Sequence, residues 1–412
     1  MSSPFRGLDS VFFVAIILAM AIIPLISGAW WRKWYPLVVL AIALPCAVVV
    51  GMRHGAALAV AAEEYLSFIL LVGSLYVIAG GIDLEIPARG RPGSNVLFLL
   101  AGTVLANFLG TTGASVVLIR PLLRANSSRK QVVHLCVFFI ILVSNIGGLL
   151  TPLGDPPLFL GYLHGVPFFW TLKLFPIWAI SVGVLLAAFW VLDSILEGKE
   201  SGTGGFQVID REGHLKFELR GFRNVLLLLL VMASLFLPPL LRAIVMTLAL
   251  SLSILFTPSE LRKRNDFTYH PIVEVAVLFA GIFVTLIPVQ SLMQSFPHQG
   301  FPLSPLVCFW TAGGLSSFLD NAPTYLIFFQ ALHQAAGAAT TLVAGVPEPL
   351  LMAIASGCVM MGANTYIGNG PNLMVKAICE DEGVKMPSFM GYMGWAALVL
   401  VPLYALVSWV FM

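Results

Sequence analysis

Long apolar stretches separated by short polar segments dominate the chain. Most apolar stretches are long enough to cross about 30 Å of hydrocarbon as α-helices. The residue-by-residue alternation of transmembrane β-strands is absent, so helices are the expected spanning structure. The pattern therefore predicts an all-α polytopic membrane protein with about ten transmembrane helices, near residues 10–29, 35–51, 58–80, 132–162, 168–192, 222–239, 241–256, 271–293, 347–375 and 390–411.

Four polar breaks within apolar sequence form two matched pairs, in the same order in each half. The first break of each pair is Phe108–Gly113 or Phe318–Pro323, and it interrupts a predicted re-entrant hairpin. The second is Thr151–Pro157 or Thr365–Pro371, and it interrupts a predicted broken helix. Such breaks at corresponding positions of two halves indicate the binding site of a secondary transporter. The predicted hairpins lie near 94–124 and 303–335, and the broken helices near 132–162 and 347–375, with their breaks at the midplane of the membrane.

About five membrane crossings fall in each half of the chain. Because this number is odd, the second half must enter the membrane from the opposite face, which makes the halves inverted-topology repeats. We expect a first repeat at 1–192, a cytoplasmic linker at 193–221 and a second repeat at 222–412. The linker sequence is rich in Gly and Ser and then suggests a short β-hairpin, and its charged residues are expected to be solvated.

The distribution of basic residues gives the expected orientation. The predicted topology places 17 of the 22 Lys and Arg residues on one side of the membrane, four on the other side, and Arg120 within a hairpin arm. By the positive-inside rule the rich side is cytoplasmic, so both termini are expected outside. We expect a multi-pass protein of a bacterial-type plasma (inner) membrane. The first apolar run is interpreted as a span rather than as a cleaved signal peptide.

Composition narrows the class of protein. With 59% hydrophobic and 10% charged residues and a mean hydropathy of +0.94, an ordinary soluble domain is excluded, and a nucleic-acid partner is not expected. The five cysteines have no paired spacing and are interpreted as small core residues rather than metal ligands or disulfides. We expect no cofactor, and sodium and protons as transported or coupling ions.

The predicted breaks concentrate hydroxyl and amide side chains inside the membrane. Irregular backbone is tolerated there only where protein or a water-filled cavity satisfies its polar groups. Together with free carbonyl groups, such side chains form the oxygen cage that a hard cation such as sodium prefers. The candidate ion-binding residues of this kind are Thr111, Thr112, Asn145, Thr151, Asn321, Asn364, Thr365, Asn369 and Asn372.

Asp155 and Asp320 are the strongest candidates and are the expected metal ligands for sodium. An ionised carboxylate within the bilayer is costly, so its presence suggests function. Burial favours the protonated form of a carboxylic acid and a bound cation favours the ionised form, so protons and sodium compete for one group. Asp155 corresponds to Asn369 in the other half, and Asp320 corresponds to Gly110, so each acid is present once. An alternative role for Asp320 is that of a helix cap.

These motifs resemble those of the ion transporter superfamily, which includes NhaD-type sodium/proton antiporters, arsenite pumps, citrate–metal transporters and dicarboxylate transporters. The resemblance covers nearly the whole chain and is carried by Ser144–Gly148, Leu153–Pro157 and Asp320–Pro323. The chain is most similar to the citrate-transporter-like group whose members are often labelled sodium/proton antiporters.

The resemblance implies inverted repeats, one hairpin from each side of the membrane, and a homodimer whose transport domains move against a scaffold. It implies site roles for Asp155, Asp320, Asn321, Asn145 and Thr365. The Ser-Asn-Thr tips of dicarboxylate carriers are absent from both hairpins. Because Asp320 at a tip would repel an anion, the sequence favours a cation as substrate.

Several functions remain open at this point. The leading hypothesis is exchange of sodium or lithium for protons at Asp155 and Asp320. The alternative is sodium- or metal-coupled uptake of citrate or another small carboxylate, with the acids holding a coupling cation; arsenite export is a third. Catalysis is not expected, because the sequence Pro152-Leu153-Gly154-Asp155 lacks the Gly-x-Gly-Asp motif of intramembrane aspartyl proteases. A channel is disfavoured by the repeated breaks, which suit alternating access.

Overall fold

The computed structural model is predominantly helical and describes residues 7–85, 90–201, 218–265, 267–295, 304–334 and 341–412. The first half contains α1 (Val11–Ile26), α2 (Gly28–Ala79), α3 (Pro92–Ala125), α4 (Val133–Leu142), α5 (Pro156–Leu163) and α6 (Phe175–Ser201). The second half contains α7 (Phe222–Ser234), α8 (Pro239–Phe256), α9 (Ser259–Arg264), α10 (His270–Ser295), α11 (Pro305–Leu319), α12 (Asn321–Gln334), α13 (Glu348–Met361), α14 (Gly370–Asp381) and α15 (Phe389–Phe411).

The remaining regular elements are short. Four 3-10 helices lie at Gly7–Ser10, Ile146–Leu150, Phe168–Leu174 and Gly362–Asn364. Strand β1 (Asp83–Glu85) pairs antiparallel with β2 (Glu218–Arg220), and β3 (Leu342–Val343) pairs with β4 (Val346–Pro347).

Seven helical segments within the described residues are long and apolar enough to cross a membrane. This agrees with the prediction of an all-α polytopic membrane protein. Helical segments occur at all ten predicted spans, although those predicted at 35–51 and 58–80 both lie in the continuous assignment of α2. His54 separates them, because its backbone (φ −156°, ψ 64°) is not helical.

Helix α3 folds back on itself. Its 34 residues would extend about 51 Å as a straight helix. Instead, Asn95 near one end and Asn126 just beyond the other exchange side-chain hydrogen bonds of 3.0 and 2.9 Å. The reversal takes place at Gly110, the one residue inside α3 with non-helical dihedral angles.

The most deeply buried helices are those that precede the second breaks. In the segment from Val133 to Leu150, 89% of the residues are buried, and beyond His134 in its first turn α4 is apolar all round its circumference. A helix that is apolar on every side belongs in an interior. Helix α13 is similarly buried from Ala353 to Met361, so both second breaks lie at the centre of the molecule.

The region predicted as a solvated linker differs from the prediction at its start. Helix α6 continues to Ser201, and Asp193 is fully buried. The expectation of solvation is wrong for Asp193, because this side of α6 faces the guanidinium group of Arg129, the ring of His134 (2.8 Å) and the amide of Asn95 (2.9 Å).

The β-hairpin predicted in the linker lies mostly outside the described residues. Its last part forms β2, which pairs with β1, with Leu219 opposite Leu84.

Candidate functional site

Each second break ends in a helix that starts with proline in its first turn. Pro156 begins α5 and Pro371 lies in the first turn of α14, where a missing N–H group does no harm. Asp155 and Asn369 occupy the two N-cap positions with nearly the same extended backbone (φ −145°, ψ 144° and φ −154°, ψ 137°). Neither side chain caps its own helix, so both are available for contacts across the molecule.

The first breaks also share one backbone conformation. Gly110 has φ 72° and ψ 155°, and Asp320 at the corresponding position has φ 65° and ψ 140°. Glycine adopts these angles freely, whereas any other residue is strained by about 1–3 kcal/mol. The second half therefore keeps a carboxylate at a position where the backbone favours glycine.

The two breaks of each half are joined by the same backbone hydrogen bond. The N–H of Thr111 donates to the carbonyl of Gly154 (2.8 Å), and the N–H of Asn321 donates to the carbonyl of Gly368 (3.1 Å). The residue after Gly110 and the residue after Asp320 are thus each bonded to the glycine that precedes Asp155 or Asn369.

A threonine strengthens this junction in both halves. The Thr151 hydroxyl donates to the carbonyl of Asn107, and the Thr365 hydroxyl donates to the carbonyl of Ser317, each at 2.5 Å. Both hydroxyls also accept a backbone N–H three residues later, at 3.1 and 3.0 Å. The second breaks are therefore fixed in position rather than open loops.

Close backbone contact within the second breaks requires glycine. A Cβ atom added to Gly154 would lie 2.1 Å from the carbonyl oxygen of Gly148, and one added to Gly368 would lie 2.6 Å from that of Gly362. In both breaks, therefore, a side chain at this glycine would collide with the backbone.

Asp155 is the centre of the polar network. Its side chain is 1% exposed. The carboxylate accepts hydrogen bonds from the Thr111 hydroxyl (2.8 Å), the Asn369 amide (3.0 Å) and the Asn321 amide. Within the described part of the chain, no Lys, Arg or His side chain pairs with it. A buried carboxylate with only neutral donors is costly when ionised, so a proton or a cation would stabilise it.

Asparagines connect the two halves next to Asp155. The Asn145 amide donates to the Asn372 side-chain oxygen (2.7 Å), and its own oxygen accepts from Asn369 (3.2 Å). Asn372 in turn donates to the carbonyls of Gly362 and Thr365, both at 2.9 Å. These bonds position the polar groups of both second breaks around one point.

One oxygen atom in this network has no hydrogen-bond partner. The Oδ1 atom of Asn321 is buried and unpaired, whereas the amide nitrogen of the same residue donates to Asp155. A buried amide oxygen normally has a partner, so this atom offers a free ligand position.

The Asp320 carboxylate is half-buried and accepts the N–H of Ala322 (3.2 Å), as expected for a cap. Asn321, the next residue, donates to Asp155, which brings this turn against the Asp155 side chain.

A cavity of about 30 Å³ lies beside Asp155 and is lined by Gly110, Thr111, Thr112 and Gly154. This volume holds one or two water molecules or a small ion. Thr112 contributes to the wall of this cavity.

The structure brings most of the predicted residues together, although their roles in ion binding stay predictions. Asp155, Thr111, Asn321, Asn369, Asn145 and Asn372 form one hydrogen-bonded network. Thr151 and Thr365 brace the breaks. The Asn364 amide donates to the hydroxyl of Ser317 (2.9 Å).

Asn107 and Ser317 were missed by the sequence reasoning. They occupy the same position, three residues before Gly110 and Asp320, and extending the Phe-Leu match by one residue would have identified both.

Comparison with protein families gives a match over almost the full length. Residues 5–412 match the family described as "Putative citrate transport". A comparison with curated proteins finds no match. Because the family match covers nearly the whole chain, the chain belongs to this family and is a multi-pass membrane transporter.

Proposed function

We propose that this member of the citrate-transport family is a secondary active transporter that exchanges sodium or lithium for protons by alternating access. The observation that carries the proposal is the buried Asp155 carboxylate, held by three neutral donors next to the unpaired Asn321 oxygen. Sodium would bind to these oxygens when the carboxylate is ionised. Binding of a proton would neutralise the Asp155 carboxylate and release the sodium ion.

The competition between the two ions follows from the cost of a buried charge. An empty, ionised Asp155 would leave a carboxylate in a low-dielectric site, at a cost of several kcal/mol. The site is therefore stable with either a proton or a cation bound and unstable with neither. Because both ions require the same carboxylate, movement of one across the membrane is coupled to movement of the other.

Alternating access is supported by the matching geometry of the halves. Corresponding first breaks share one unusual backbone conformation, and corresponding second breaks share one N-cap conformation. Such correspondence is expected of inverted-topology repeats whose breaks meet at the midplane. In this arrangement α3 and the α11–α12 pair are the re-entrant hairpins, with both termini outside an inner membrane. The homodimer is a further prediction from the resemblance.

Coupled uptake of citrate is the second candidate, because the family description names citrate. Two observations favour a cation instead. The cavity of about 30 Å³ is far below the 300–1,000 Å³ of a site for a larger organic ligand. Arg120, which lies on α3, donates to Glu382 (3.2 Å) and to the carbonyl of Asn265 (2.5 Å), and no basic side chain of the described residues pairs with Asp155, where an anion would need one.

The experiment is proton flux in proteoliposomes that contain a pH-sensitive dye. Sodium, lithium, potassium, citrate and magnesium citrate are added in turn to wild type, Asp155→Asn, and the control Glu380→Gln, which removes an exposed carboxylate. We expect sodium or lithium to drive proton efflux in wild type and in the control, and Asp155→Asn to abolish it. Flux that depends on citrate and not on the cation alone would refute antiport and assign the protein to carboxylate uptake.

A further inference from the structure

A second and larger cavity follows one face of α3 and does not contact Asp155. Its volume is about 690 Å³, and its wall is formed by α3, α7, β1 and β2. The lining is almost entirely apolar and includes Leu97, Leu105, Leu228 and Leu229, and among its described residues Ser94 alone carries a hydroxyl group. We call this cavity the α3–α7 groove.

The groove has the length of a lipid chain. Its α3 residues follow helical spacing along the first arm, from Ser94 through Leu97, Ala101 and Leu105 to Leu109. At 1.5 Å per residue this stretch covers about 22 Å. One leaflet contributes about 15 Å of hydrocarbon, so the groove is long enough to hold an acyl chain. Leu109 also lines the small cavity beside Asp155, so the groove ends next to the candidate ion site.

Basic residues lie at the other end of the groove, where the two ends of α3 meet. Arg91 immediately precedes this helix and is exposed, and the side chain of Arg124 in its last turn is 45% exposed. Pairing of Asn95 with Asn126 holds the two ends of α3 together, so both arginines lie at the same end of the folded helix.

The adjoining β1–β2 pair brings two further arginines to the same end. Arg124, Arg220 and Arg264 all lie 3.6–3.7 Å from the single buried carboxylate of Asp83. Glu218 pairs with Arg220, and Glu85 is the residue opposite Glu218, so this region carries four arginines and three acids when Arg91 is included. Leu84 and Leu219, opposite each other on the same two strands, line the groove.

We propose that the α3–α7 groove binds an acyl chain of an anionic phospholipid, whose phosphate lies against Arg91 and Arg124. The occupant must combine a long apolar chain with a negatively charged end, and an anionic lipid supplies both. An uncharged lipid fits the groove but not its basic end. This site does not depend on which ion or carboxylate the protein transports.

The test is native mass spectrometry of the full-length protein in mild detergent, with added phosphatidylglycerol or phosphatidylcholine of equal chain length. We expect one bound phosphatidylglycerol, with about 30-fold weaker binding of the Arg91→Gln/Arg124→Gln variant, the effect of two basic residues near an anionic headgroup. The control Arg32→Gln/Lys33→Gln removes the same charge at exposed residues elsewhere and should bind phosphatidylglycerol as wild type does.

A second pair of variants tests the groove itself. Ala101→Trp fills it and should abolish lipid retention, whereas Val104→Trp lies on the same arm outside the groove and should preserve it. Thermal melting shows that each variant is folded. Equal retention of the two lipids by wild type, or retention of phosphatidylglycerol by folded Ala101→Trp, would overturn the proposal. Conversion of a wild-type dimer to a monomer by Ala101→Trp would also overturn it, by assigning the groove to a second copy of the chain.

Discussion

Replacement of Asp320 by glycine separates the role of its carboxylate from that of its backbone. The substitution gives the second half the residue that the first half has at Gly110, where the backbone angles are nearly the same. If the carboxylate takes part in ion exchange, Asp320→Gly should lose transport although the turn that it leaves behind is one that glycine prefers.

The expected change in stability follows from three contributions. Relief of the positive φ angle at Asp320 is worth about 1–3 kcal/mol. Loss of the hydrogen bond from the Ala322 N–H costs about 1 kcal/mol, and the greater freedom of glycine in the unfolded chain costs about 0.4–1 kcal/mol. These contributions nearly cancel, so Asp320→Gly should be about as stable as wild type. Asp320→Ala loses the hydrogen bond and keeps the strain, so it should be less stable than Asp320→Gly by about 1–2 kcal/mol.

The assay combines thermal melting in detergent with sodium-driven proton flux in proteoliposomes. We expect Asp320→Gly to melt near the wild-type temperature, Asp320→Ala to melt several degrees lower, and both to be inactive. Asp320→Asn keeps the size of the side chain and an oxygen acceptor, so it should be stable and also inactive. Wild-type flux through Asp320→Gly would refute a role in exchange and leave Asp320 as a cap. Equal melting of the alanine and glycine variants would refute the strain argument.

Further substitutions test contacts elsewhere in the structure. Asn321→Ala removes a hydrogen-bond donor to the buried Asp155 carboxylate. It should lower the free energy of unfolding by about 1–3 kcal/mol and raise the half-saturating sodium concentration. Unchanged melting and unchanged sodium dependence would contradict this expectation. Gly148→Ala places a Cβ atom 2.7 Å from a backbone oxygen and should abolish folding or flux. Gly183→Ala lies in open space on a helix and should stabilise the folded protein by about 0.5–1 kcal/mol in the same melting assay. Arg129→Ala leaves Asp193 buried without its guanidinium partner and should lower the free energy of unfolding by about 3–5 kcal/mol. In the same denaturation measurements, Arg129→Met/Asp193→Leu should recover most of this loss. A double variant as unstable as Arg129→Ala would argue against the importance of the ion pair.

The positions of the helices and breaks were predictable because both depend on local sequence. Apolar length determines where helices can span, and Gly and Pro in apolar sequence determine where they break. The equivalence of Asp155 with Asn369 was also visible, because both precede a proline in the first turn of a helix.

Contacts between distant segments were not predictable in this way. Nothing in the local sequence shows that Asp193, at the end of an apolar helix, meets Arg129 and His134 and is buried. The local sequence does not predict the unpaired oxygen of Asn321 either. That oxygen is left unpaired because Asp155, in the other half of the chain, orients the amide group. Both features arise from the packing of segments far apart in the chain.

The division of the acids between the halves explains why one site is expected rather than two. Asp155 lies at a second break and Asp320 lies at a first break, so neither half carries both. Asn321 follows Asp320 and donates to Asp155, which brings the first break of one half against the second break of the other. The two carboxylates therefore converge, and the corresponding Gly110 and Asn369 contribute a turn and an amide donor to the same place. We therefore propose one charged centre between the two halves of the chain, whose access to water changes when either half moves.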